Sequence, residues 1–139
     1  MTIPHYDQTV LTPLDSDALV LRRAEELIGQ ARRDQLWLLL LDRADVQLPV
    51  LLPIDDLPSE PDELASEGFA GVFRMLRTET EARAVVAVLE RPALTTLPPG
   101  DRAWIRALHE AATVSGLRLR ASLLAGAQGL RWIAPDDWA

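Results

Sequence analysis

The stretch Ala84-Val85-Val86-Ala87-Val88-Leu89-Glu90-Arg91-Pro92-Ala93-Leu94-Thr95-Thr96-Leu97-Pro98-Pro99-Gly100-Asp101 decides the fold. Its first six residues form an uninterrupted apolar run rich in β-branched side chains, too short for a membrane and suited to a strand buried on both faces. Residues 90–100 hold Pro92, Pro98, Pro99 and Gly100, which cannot continue a strand or helix interior, so a loop is predicted there. Asp101 then stands as the cap of a helix in which Trp104, Leu108, Ala111, Ala112 and Ser115 share one face, with Gly116 closing its C-terminal end.

Working towards the N-terminus, Leu36-Trp37-Leu38-Leu39-Leu40-Leu41 is a second short apolar run and reads as the central strand. Residues 42–45 make a polar turn into residues 46–54, where Pro49 and Pro53 each lack a ladder donor and predict the outer partner of a hairpin. Residues 55–62 are an acidic, proline-rich loop. Ser59 with Asp62 can form a capping box for a helix from about Pro61 to Thr78, which Gly68 and Gly71 could split in two. An earlier amphipathic helix starts at Asp15, Ser16 or Asp17 and runs to about Arg33, with Leu19, Val20, Ala24, Leu27, Ile28 and Ala31 on one face. Residues 1–14, with Pro4 and Pro13, read as an N-terminal arm.

Towards the C-terminus, residues 117–123 alternate with period two and predict a strand with one wet face carrying Arg118 and Arg120. Residues 126–129 turn it into a last strand over residues 130–134, and a tail ends in Trp138. The expected fold is therefore a single α/β (α+β) domain over residues 15–139, a mixed sheet packed with about three helices in a three-layer sandwich.

Composition narrows the function. A chain of 139 residues is long enough for one core, and 48% hydrophobic with 25% charged residues is a globular balance. Cysteine is absent, which removes disulfides, thiolate nucleophiles and every cysteine-containing zinc motif and fits a cytoplasmic location. The N-terminus lacks the basic start and apolar run of a signal peptide, and no apolar stretch is long enough to span a membrane. The net charge is −7 and all 14 basic residues are Arg, so the surface field opposes nucleic-acid binding unless Arg clusters locally.

The element order and the loop from Leu89 to Asp101 resemble the JAB (MPN-like) metalloprotease fold, especially the RadC-type domain of bacteria, over residues 34–134. That family ends a strand in His-any-His-Pro, places a Ser in the following loop and opens the next helix with an Asp; the two His and the Asp hold zinc. Here Pro92 and Asp101 match. Leu89 stands at the first His position, Arg91 at the second, and Pro98 or Pro99 at the Ser. The resemblance thus implies the fold without the metal or the hydrolase activity, and no cofactor is expected.

No HExxH, Gly-x-Ser-x-Gly or phosphate-loop pattern is present. His5 and His109 read as surface residues, and the carboxylates from Asp55 to Glu67 as a solvated loop and helix start. The leading expectation is a non-catalytic interaction or scaffold domain with a protein partner or a second copy of itself, an edge strand or the arm offering a route to a homodimer. The alternative is a small-molecule or anion-binding protein or an enzyme, with Arg91, Arg102, Arg106, Arg118 and Arg120 converging around the loop beside Asp101. Trp138 either folds back onto the domain or lies in an interface. Arg91, Asp101, Arg102 and Trp138 are the candidate ligand or partner residues.

Overall fold

The structure, a computed structural model, describes residues 12–138. Five strands form one mixed sheet in the order β2-β1-β3-β4-β5: β1 (Gln35–Leu41), β2 (Gln47–Ile54), β3 (Ala84–Glu90), β4 (Arg118–Gly126) and β5 (Gly129–Trp132). Only β3 and β4 pair in parallel. Helix α1 (Asp17–Ile28) precedes the sheet, α2 (Glu63–Glu79) joins β2 to β3, α3 (Pro99–Ser115) joins β3 to β4, and the single-turn α4 (Pro135–Trp138) ends the described chain. The sequence-predicted mixed sheet with three full helices is what the chain forms.

Two cores sandwich the sheet because every inner strand sends alternate residues to opposite faces. From β3, Val85, Ala87 and Leu89 enter one core with Phe69, Phe73 and Leu76 of α2 and with Trp104, Ile105 and Leu108 of α3. Ala84, Val86 and Val88 enter the other with Val20 and Ala24 of α1. All seven residues of β3 are buried, so β3 is the central strand. That corrects the expectation placed on β1, whose run is equally apolar; hydrophobicity marks a strand as inner, whereas the order is set by long-range pairing. β2 lies at the sheet edge, as its prolines require.

Other departures have local causes. α1 ends at Ile28 rather than near Arg33, since Gly29 leaves the helix and the backbone N–H groups of Arg32 and Arg33 turn to the carboxylate of Glu90. Ser16 caps α1, accepting from Leu19 N at 3.2 Å. Asp62 alone caps α2, accepting from Ala65 N at 2.7 Å, and the helix runs unbroken through both glycines. In β4 the register slips opposite Val85 and Val86, leaving Arg120 as an extra residue. The bulge moves the inward set from Leu119, in the α2–α3 core, to Ala121 and Leu123, in the α1 core. The wet face therefore ends early, and Ser122 is buried.

The arm expected over residues 1–14 lies outside the described residues up to 11. Leu14 is buried beside α1, and its N–H donates to Asp45 O at 2.8 Å.

Among the described residues, a Cβ added at Gly68 or Gly71 would meet nothing within 4 Å outside the helix's own backbone. Glycine in an exposed helix interior costs about 0.8–1.0 kcal/mol relative to alanine. Gly71→Ala is accordingly expected to stabilise the isolated domain by roughly 0.5–1 kcal/mol, read as a higher urea midpoint in dilute solution. A loss of stability there would mean that the glycine serves the monomer's own packing.

Candidate functional site

The C-terminal end of β3, the N-terminus of α3 and the loop over residues 55–60 enclose a cleft of about 720 Å³. Two close approaches build it. Trp104, fully buried on α3, donates its indole Nε1–H to Pro58 O at 2.8 Å and so ties that loop to the helix. Gly100 lies against the same loop so closely that a Cβ would collide with the carbonyl oxygen of Ser59.

In the cleft wall Arg91 and Asp101 form an ion pair: Arg91 Nε donates to Asp101 Oδ2 at 3.2 Å and Nη2 to Oδ1 at 3.4 Å, with the two side chains 13% and 10% exposed. Arg91 Nη1 also donates to Glu90 O at 3.4 Å, and its backbone N–H to Ala125 O at 2.8 Å, extending the β3–β4 ladder. Asp101 does not cap α3. Pro98 occupies the cap with no side-chain bond and Pro99 opens the helix, a position where its missing N–H costs nothing. The helix therefore begins earlier than expected, and Asp101 sits in its first turn with its carboxylate turned to Arg91.

The other expected arginines do not converge here. Arg102 is exposed. Arg106 Nη2 donates to Trp138 O at 2.7 Å, Arg118 pairs with Asp45 at 2.8 Å and Arg120 with Asp17 at 2.9 Å. Each is drawn to the nearest acceptor on its own face, so the Arg-lined pocket reduces to Arg91. Trp138 folds back onto α3, its ring 5.1 Å from that of His109. It lines a separate cleft of about 490 Å³ with Arg120 and Trp132.

The reading of the sequence missed Glu90. It ends the central strand, is 4% exposed and faces the α1 side, next in sequence to the Arg91–Asp101 pair. Its Oε2 accepts from Arg32 N at 2.7 Å and Arg33 N at 3.4 Å, and its Oε1 from Trp37 Nε1 at 2.9 Å. This carboxylate fastens the segment after α1 to the sheet beneath the cleft.

The residues at the end of β3 and the start of α3 do not fit a zinc ion. Leu89 is fully buried in the α2–α3 core, Arg91 brings a cation, and Asp101 already spends its oxygens on that cation. A zinc site needs three or four N, O or S donors free to face the ion. Among the described residues, no group of three or more His, Cys, Asp or Glu side chains is placed to hold a metal. Ser59 supplies a hydroxyl to the wall, but no His or Lys among the lining residues could take its proton.

No family model, curated protein or solved structure matches this chain. No helix among the described residues is long and apolar enough to cross a membrane.

Proposed function

We propose that the chain is a non-catalytic interaction domain, cytoplasmic and JAB-like in architecture, in which an internal ion pair stands where that fold would carry out chemistry. The observation that carries this reading is the Arg91–Asp101 pair, two-pronged and largely withdrawn from water. A guanidinium satisfied in this way has little to offer an incoming anion, and a carboxylate so engaged is a poor metal ligand or base. The rest of the wall agrees with this, for Asp34, Asp56 and Glu60 join Asp101 against the single Arg91. That balance repels phosphate or carboxylate ligands and weighs against the anion-binding alternative.

A thermal unfolding series separates the two readings. With zinc chloride, inorganic phosphate or citrate added, the midpoint is expected to stay at its ligand-free value. A specific ligand at a hundred times its dissociation constant would add about 2.7 kcal/mol. A rise of that size, lost in Arg91→Ala, would transfer the function to a small-molecule site.

A further inference from the structure

Large apolar side chains are exposed at few places among the described residues, and three of them, Leu64, Val72 and Met75, lie on α2. At 100° per residue, Leu64, Gly68, Gly71 and Met75 follow one another at spacings of four, three and four along a single strip of that helix. All four are exposed, while Phe69, Phe73 and Leu76 hold the opposite side in the core. The strip is apolar at its ends and lacks side chains at its centre, where, among the described residues beyond the helix's own backbone, nothing lies within 4 Å of a Cβ added at either glycine. Glu67 and Arg74 flank the strip. They are two turns apart, so they lie on the same side of it, and both are exposed with no ion-pair partner among the described residues.

This pattern is its own complement. When two copies of a helix pack antiparallel about a two-fold axis, each flank meets the same flank of the other copy. With the axis passing between Gly68 and Gly71, Leu64 comes opposite Met75, the glycines face one another at the crossing, and Glu67 comes beside Arg74 of the second copy, twice over. Like charges on that flank would have opposed such a pairing; opposite charges two turns apart support it. Glycines at the crossing let two backbones approach closely, which offsets the helix propensity they sacrifice.

We propose that α2 is a self-association face and that its occupant is a second copy of this chain, docked antiparallel with Gly68 and Gly71 at the crossing. The competing route, pairing of β2 edges, is blunted by Pro49 and Pro53, which remove donors from that strand. The proposal deepens the interaction-domain reading. Its failure is distinguishable from failure of that reading, because the ligand titration probes the cleft and the experiment below probes α2.

Sedimentation velocity of the full chain at low ionic strength, from about 1 to about 200 micromolar, tests it, since a one-helix interface belongs to the small, weak class. The wild type is expected to pass from monomer to dimer within that range. Glu67→Arg alone and Arg74→Glu alone each turn two attractive contacts into repulsive ones and are expected to raise the dissociation constant roughly tenfold. The double variant Glu67→Arg/Arg74→Glu is expected to return to the wild-type constant. Both positions are exposed, so folding is not at stake, and circular dichroism confirms it for each variant. A chain that stays monomeric throughout, a dimer indifferent to the single swaps, or a double variant that fails to recover would each overturn the proposal.

Discussion

Glu90→Ala is expected to lower the stability of the domain by about 3 kcal/mol, because a buried carboxylate that accepts from three part-buried N–H donors is removed, and a hydrogen bond to a charged group contributes about 1.5–3 kcal/mol where it is well formed and less where water can replace it. The donors are Arg32 N, Arg33 N and Trp37 Nε1, all of which converge on the one carboxylate. Part of the loss is offset because a buried charge disappears with them. In a urea titration with a slope of about 2 kcal/mol per molar, the midpoint should fall by roughly 1.5 M with the slope unchanged. Glu90→Gln retains one carbonyl acceptor but turns an amide N–H towards the remaining donors, so about half the loss is expected. A loss under about 1 kcal/mol in the alanine variant would show that this carboxylate does not fasten the segment after α1.

Arg91→Ala is expected to cost as much, about 3 kcal/mol, since removing one member of a buried pair strands the charge of the other. Asp101 is 7% exposed, and its place in the first turn of α3 supplies only partial compensation from the helix dipole. Asp101→Ala should cost a similar amount. The double variant should cost less than the two single losses added together, by about 2 kcal/mol, because neither charge is left without its partner. Strict additivity would mean that the two groups do not depend on one another, and the closed-pair description of the cleft would fail. The double variant serves a second purpose: it empties the cleft wall of both groups, so any ligand response that persists in it belongs to some other part of the molecule.

The strands were legible where a residue's own chemistry decides its place. Continuous apolar runs announced β1 and β3, and Pro49 and Pro53 sent β2 to the edge. What local composition could not supply was anything settled by distant partners. β1 and β3 are alike in hydrophobicity, and only the pairing of β3 with both β1 and β4 makes it central. The slip at Arg120 is invisible in a sequence that alternates cleanly, because the bulge arises from register against β3 and not from the residues of β4.

The site divides in the same way. Arg91 and Asp101 drew notice because they bracket a proline-rich loop between an apolar strand and an amphipathic helix, and the fold does bring them together. The expected convergence of Arg106, Arg118 and Arg120 failed because Trp138, Asp45 and Asp17 lie nearer to them. Glu90 looked like the first polar residue of a loop. Two of its three donors are backbone N–H groups 57 and 58 residues away, which leave no trace in side-chain identity. The one available sign was a carboxylate continuing an apolar run without a break.

The central claim is that this domain works through its surfaces and not through chemistry in its cleft. Native mass spectrometry of protein purified without an affinity tag and without chelators tests it most directly, because one spectrum reports subunit count, bound metal and any retained small molecule. The account predicts apo-mass subunits, with dimer growing in as concentration rises. A zinc-sized adduct or a stoichiometric small molecule on each subunit would contradict it and return the cleft to a catalytic or ligand-binding role.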